Sequence, residues 1–230
     1  MVPRQHGGRR LLSSGLPAIP DPLRHYMDHR GLWRDLRGQQ PVGDAAPRPA
    51  LFLDRDGTII EQMPYLSQPE MVRVIPAAAT LIAKANALAM PVVVVTNQSG
   101  LERGLFDWQT YAAVEDAVTA AVTEAGGRID AVYACPRMPT EPLPFGRKPG
   151  PGMLTAAAED LNLDLAKSWV AGDAASDIEA GRNAGLAGGW LVPTGFGARD
   201  ETLARELARE GFEVVVGEMV DGLGVRLGDG

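Results

Sequence analysis

The sequence predicts an α/β fold with a mostly parallel sheet covered by helices on both faces, and three observations carry that reading. From Ala50 onward, short apolar runs alternate with helical stretches, the βαβα order that pairs strands in parallel. One run, PVVVVT, holds an unbroken stretch of valine, which suits a strand buried on both sides and not one with a wet face. The chain has 230 residues and is 45% hydrophobic, ample for a real core.

In order along the chain, ALFLD is the first of these strands and Pro76 to Ala89 the helix after it. PVVVVT is followed by a helix over Trp108 to Ala125. RIDAVYAC, SWVAG and GGWLV are further short apolar runs of strand length, separated by helices over Gly152 to Leu161 and Ser176 to Ala184. A late helix, Arg199 to Arg209, and a strand, Phe212 to Val216, extend one edge.

Residues 1–49 differ in kind. Eight arginines (Arg4, Arg9, Arg10, Arg24, Arg30, Arg34, Arg37, Arg48) stand against four aspartates (Asp21, Asp28, Asp35, Asp44), a net +4. The segment is rich in Gly and Pro, with one short amphipathic candidate around Leu23 to Leu36, and is expected to be a poorly ordered extension ahead of a domain spanning 50–230. The aspartates argue against an organelle transit peptide. With the chain at −7, residues 50–230 carry −11, which disfavours nucleic acid as a partner. No run approaches the roughly 18 apolar residues of a membrane span, and no apolar signal region opens the chain, so a cytoplasmic protein with no membrane partner is expected. The single Cys135 can form no internal disulfide. A monomer is the expected state.

In an open parallel sheet, ligands bind beyond the carboxyl ends of the strands. Here those ends carry Asp54 and Asp56, then Thr96-Asn97-Gln98-Ser99-Gly100, then Asp173 with Asp177. Each has an ordinary reading: Asp-Gly as a hairpin turn, Asn-Gln-Ser-Gly as a polar turn, Asp173 or Ser176 as a helix cap. Jointly those readings need three strand ends to gather carboxylates or hydroxyls for unrelated reasons. Residues i and i+2 of a strand point to one side, so Asp54 and Asp56 can face one reacting group. Asp173 beside them would be repelled unless a cation intervened, and oxygen ligands with room for water suit Mg²⁺. All three histidines lie in the extension, which leaves residues 50–230 without an imidazole and makes a carboxylate the available nucleophile.

The stretches DRDGT, VVVVTNQSG, RKPGPGM and GDAASD resemble, in order and spacing, the four motifs of the haloacid dehalogenase (HAD) superfamily of aspartate-dependent phosphatases, over Leu51 to Val192. The resemblance implies a Rossmann-like three-layer α/β/α sandwich and phosphoryl transfer to an aspartate. On these positions Asp54 would be the nucleophile, and Asp56 the acid that protonates the leaving oxygen and then activates water. Mg²⁺ would be held by Asp54, the carbonyl of Asp56 and Asp173, with Asp177 supporting. Thr96 and the amide of Asn97 would hold the phosphoryl group, and Lys148 would bridge it and Asp54.

Only 39 positions separate Asp56 from Thr96 and 50 separate Asn97 from Lys148, too few for a large cap. Specificity should then come from the loops 61–69, 101–107 and 136–146. Within the superfamily the chain is similar to the capless branch of histidinol phosphatases and D-glycero-D-manno-heptose 1,7-bisphosphate 7-phosphatases, the latter through TNQSGLERGLF, YACP and RKPGPGML. That implies a small phosphorylated sugar as substrate, contacted by Arg103 and Arg147. Histidinol phosphate or another small ester is the alternative, as is a phosphate-binding module without turnover. Two departures stand out. Where the family holds zinc, this chain has Cys135, Arg137, Pro144 and Gly146, so no zinc is expected. Ile60 replaces the usual asparagine after DGTI.

Overall fold

The computed structural model describes residues 16–38 and 46–218. Its strands are β1 (Trp33–Leu36), β2 (Leu51–Leu53), β3 (Val92–Asn97), β4 (Ala131–Cys135), β5 (Trp169–Gly172), β6 (Gly188–Leu191) and β7 (Glu213–Val216). The helices are α1 (Pro76–Ala87), α2 (Trp108–Glu124), α3 (Gly152–Leu161), α4 (Ala175–Ala184) and α5 (Gly197–Arg205). They begin and end where local chemistry says they should. Pro76 opens α1, Asp107 caps α2 by accepting from the Thr110 amide at 2.9 Å, and Gly185 ends α4 at φ +79°.

The seven strands form one sheet in the order β1-β4-β3-β2-β5-β6-β7, parallel except for β1. Alternate strand residues feed opposite layers. Leu51, Leu53, Val92 and Val94 pack with Leu81, Ile82, Val114 and Val118 of α1 and α2. Phe52, Val93 and Val95 pack with Met153, Leu154 and Ile178 of α3 and α4. Both faces are therefore dry, which is why the valine run is unbroken. The chain leaves β2 for β3 and β4 on one side, then crosses back to β5, β6 and β7 on the other. The carboxyl ends of β3, β2 and β5 thus sit side by side at the point where strand order reverses. The connections 54–75 and 98–107 hold only the 3₁₀ turn Pro69–Met71, so neither builds a cap. Among the described residues, no helix is long and apolar enough to cross a membrane.

Part of the segment expected to be poorly ordered is built into the sheet. After a 3₁₀ turn over Asp21–Tyr26, Gly31 takes φ +79° and breaks any helix through the amphipathic stretch. Trp33 to Leu36 then pair antiparallel with Ala131 to Ala134 as an edge strand. Leu32 and Trp33 are both 1% exposed. Trp33 stacks on Tyr26 and Trp108 and meets Tyr111 edge-on, at centroid distances of 4.5, 5.6 and 5.3 Å. Arg30 and Arg34 pair with Glu159 and Asp160 on α3 at 3.0 Å. Apolar burial and complementary charge dock these residues despite their composition. Arg4, Arg9, Arg10, His6 and Asp44 lie outside the described residues.

Candidate active site

The strand β2 ends at Leu53, and Asp54 continues its pairing by one amide, which donates to the Ala171 carbonyl at 3.0 Å. Beyond it the chain turns sharply: the amides of Ile59 and Ile60 both donate to the Arg55 carbonyl, and Gly57 takes φ +86°. Asp54 and Asp56 therefore come together through a turn and not as alternate residues of a strand. A Cβ on Gly57 would overlap the Asp173 carboxylate, as would one on Gly195. The loops close this tightly only because glycine stands at both positions.

All the motifs meet in one cavity of about 360 Å³, lined by Asp54, Asp56, Thr96, Asn97, Lys148, Asp173 and Asp177 among others. That volume lies within the range that holds a small molecule, roughly 300–1,000 Å³. Lys148, in the loop before α3, is 4% exposed. Its Nζ donates to Asp54 Oδ1 at 2.6 Å and to the Val95 carbonyl at 2.7 Å, and pairs with Asp177 Oδ1 at 2.7 Å. An ammonium has three donors, and the protein itself engages all of them. Asn97 fixes the lysine from behind, its side-chain amide exchanging two hydrogen bonds with the Lys148 main chain at 3.2 and 3.1 Å. Thr96 Oγ1 accepts from Gln98 Nε2 at 2.9 Å.

Burial, opposed by Lys148 and reinforced by Asp177, Asp173 and Asp56, pushes the Asp54 carboxyl up to about 8. Burial likewise lifts Asp173 to about 6. It works against the charge of Lys148, but Asp177 and Asp54 outweigh it and hold the lysine well above its ordinary value. Four carboxylates thus face two cations, Arg55 and Lys148, and the site is short of positive charge.

The donor set suits a hard divalent cation. Asp54, Asp173 and Asp177 each offer a carboxylate oxygen, all within 4.8 Å of one another. Asp177, however, has both oxygens engaged, one with Lys148 and the other accepting from the Ala174 amide at 3.0 Å. Asp177 thus braces Lys148 as well as standing in the acidic group. Asp173 Oδ2 accepts from the Phe196 amide at 2.9 Å.

Arg103 and Arg147 are not among the residues lining the cavity. Arg147 donates to the Arg137 carbonyl at 2.6 Å, and burial together with the charge of Arg103 lowers its pKa, so the two guanidiniums are neighbours. The structure does not place them in the cavity lining with the four aspartates.

Sequence reasoning passed over Arg55, Gln98 and Glu115. Gln98 Nε2 donates to Asp56 Oδ2 at 2.8 Å, and Arg55 holds Asp56 and Glu115 together. A signal existed: an arginine between two aspartates at the tip of a buried strand needs a counter-ion, and Glu115 shares the apolar face of α2 with Trp108, Tyr111, Val118 and Val122.

Comparison with known proteins places these features in context. A family model described as HAD-hydrolase-like matches residues 145–216. The D-glycero-beta-D-manno-heptose-1,7-bisphosphate 7-phosphatase of Mesorhizobium japonicum is 43% identical over 177 residues, covering 73% of this chain and 79% of that protein. A solved HAD-like phosphatase from Mesorhizobium loti superposes with a TM-score of 0.74 at 38% identity, over 88% of this chain and 94% of the other. The D,D-heptose 1,7-bisphosphate phosphatase of B. bronchiseptica, solved with magnesium and phosphate, gives a TM-score of 0.67 at 35% identity, over 79% of this chain and 98% of the other.

Proposed function

Because the chain belongs to the HAD-like D-glycero-D-manno-heptose-1,7-bisphosphate 7-phosphatase family, we propose that it removes the 7-phosphate of that sugar bisphosphate through an aspartyl phosphate on Asp54. The observation that carries this reading is the convergence of Asp54, Asp56, Thr96, Lys148 and Asp173 on one cavity at the ends of β2, β3 and β5. Mg²⁺ would be held by Asp54, Asp173 and the main-chain carbonyl of Asp56. When bound, it neutralises charge developing on the phosphoryl oxygens.

In the first half-reaction an Asp54 oxygen bonds to phosphorus as the bond to the sugar oxygen breaks, and Asp56 gives that oxygen a proton. In the second, Asp56 takes a proton from water as it attacks the aspartyl phosphate, which releases phosphate and restores Asp54. Lys148 holds Asp54 in place throughout, and Asp177 holds Lys148. Thr96 and the amide of Asn97 receive the phosphoryl oxygens. Arg103 and Arg147, neighbours outside the cavity lining, are suited to the phosphate that is not cleaved, since a bisphosphate extends beyond the reacting group.

The test is phosphate release with Mg²⁺ from both anomers of the heptose bisphosphate, from other sugar phosphates, from histidinol phosphate and from a 3'-phosphorylated oligonucleotide. Asp54→Asn should abolish turnover with the fold intact. Turnover biased to a heptose bisphosphate supports the proposal. Equal rates on every small ester, or residual activity in Asp54→Asn, would remove the substrate assignment or the nucleophile.

A further inference from the structure

Arg55 stands between the two aspartates and is 1% exposed, a costly place for a guanidinium unless each of its donors is used. Its fork faces two ways. Nε and Nη2 donate to Asp56 Oδ2 at 3.2 and 3.0 Å, and Nη2 reaches Oδ1 at 3.2 Å. Nη1 donates to Glu115 Oε2 at 3.2 Å, and the same oxygen accepts from the Tyr111 hydroxyl at 3.4 Å. Glu115 is wholly buried, its Oε1 has no hydrogen-bond partner, and the Tyr111 ring lies 5.7 Å from the guanidinium carbon.

An ion pair that only tied α2 to the loop would need the Arg55–Glu115 contact alone. Here the greater part of the fork is on Asp56, and Gln98 Nε2 adds a further donor to the same Oδ2. Oδ2 thus accepts three hydrogen bonds, whereas Oδ1 takes one long one from Arg55. The carboxyl is turned so that one oxygen is pinned and the other is left for chemistry.

We infer that Arg55, backed by Glu115 and Tyr111, is a positioning residue that orients Asp56 so that Oδ1 delivers the proton to the leaving oxygen. This rests on the phosphatase reading above. In the step concerned an Asp54 oxygen forms a bond to phosphorus, the bond to the leaving oxygen breaks with its electron pair, and that oxygen takes the proton from Asp56 Oδ1. A misaligned Asp56 therefore harms esters whose leaving group needs the proton and spares those whose leaving group departs as a stable anion.

The experiment measures kcat/KM, which covers steps through phosphorylation of Asp54, for the wild type, Arg55→Lys, Glu115→Gln and Asp56→Asn, with Mg²⁺. Substrates run from alkyl and sugar phosphates to p-nitrophenyl phosphate. General acid catalysis contributes roughly 10²–10⁴-fold, so Arg55→Lys should lose about 10²-fold on alkyl esters and less than about 5-fold on p-nitrophenyl phosphate. Combined with Asp56→Asn, it should add little further loss. Equal losses on all esters, or losses that multiply in the double variant, would reduce Arg55 to a structural tie and overturn the inference. If Arg55→Lys does not fold, Glu115→Gln, which keeps shape and removes charge, carries the same comparison, with a steeper loss on alkyl esters expected. A well-folded wild type that releases phosphate from no ester fails the phosphatase reading and takes the inference with it. An active wild type with leaving-group-independent losses sinks the inference alone.

Discussion

Lys148→Met removes the one ammonium that neutralises the floor of the site, and its cost can be worked from the contacts. The lysine engages two carboxylates and a carbonyl within 2.7 Å, and Lys148, Asp54 and Asp177 are all buried. Taking one partner from a buried ion pair costs about 3–5 kcal/mol, since the remaining charge is left unpaired. For a chain of this size that is about 6–20 °C in Tm, at about 2–4 °C per kcal/mol. The sign with pH follows from Asp54, whose pKa in the folded state already stands at about 8 because of burial and is raised further without Lys148. Such a group prefers the proton in the folded state. Both folded proteins therefore keep Asp54 protonated up to about pH 8, and the deficit that Asp54 adds in the variant opens as pH rises through that value. Urea titrations of metal-free protein at about pH 6.5 and about pH 9.5 should therefore show the larger deficit at the higher pH, with unchanged slope. A deficit below about 1 kcal/mol at about pH 9.5, or one that does not grow with pH, would refute the role of Lys148 as counter-ion.

Mg²⁺ should raise the Tm of the wild type, and more at pH 8 than at pH 5.5, because protons on Asp54 and Asp173, with pKa values of about 8 and about 6, compete with the metal. Calorimetric scans with and without Mg²⁺ check this, and a shift of equal size at both values would count against those ligands. Trp33→Ala should cost about 3–5 kcal/mol by urea titration, because the ring is buried against Tyr26, Trp108 and Tyr111. A loss under about 1 kcal/mol would mean that the edge strand contributes nothing to the fold.

What was legible in the sequence was what local pattern and strand order determine. An unbroken run of β-branched valines suits a strand with two dry faces, and aspartates at successive strand ends meet because parallel strands present their ends together. What was not legible depends on partners distant in the chain. Trp33 lies in a Gly- and Pro-rich segment, and only its pairing with β4, about 100 residues later, makes it a strand. That Asp177 also pairs with Lys148 and accepts from the Ala174 amide could not be read from its spacing alone. That Arg147 lies beside Arg103 and outside the cavity lining, with one nitrogen on the Arg137 carbonyl, is likewise set by the fold of the loop.

The loop 136–146 shows how one such distant partner bears on metal content. Glu102 holds this loop from the other side, pairing with Arg137 at 2.9 Å and accepting from the Met138 amide. Arg147 adds its bond to the Arg137 carbonyl. The loop is therefore fastened by a carboxylate and two guanidiniums. Cys135, the one thiol of the chain, is buried, and burial pushes it up, away from the thiolate that zinc requires. Gly146 faces Leu32 of the N-terminal segment, and a Cβ placed there would overlap the leucine Cδ2. A cysteine at 146 would thus have to displace the Leu32 side chain, which packs from the segment ahead of β1 into the space beside that position. Metal analysis of purified protein should accordingly find well under one zinc per chain. Leu32→Ala, which empties that seat, should cost about 2–5 kcal/mol without raising the zinc content. One zinc per chain in the wild type, or a Leu32→Ala protein as stable as its parent, would break the argument that packing and ion pairs hold this loop where a metal would otherwise be needed.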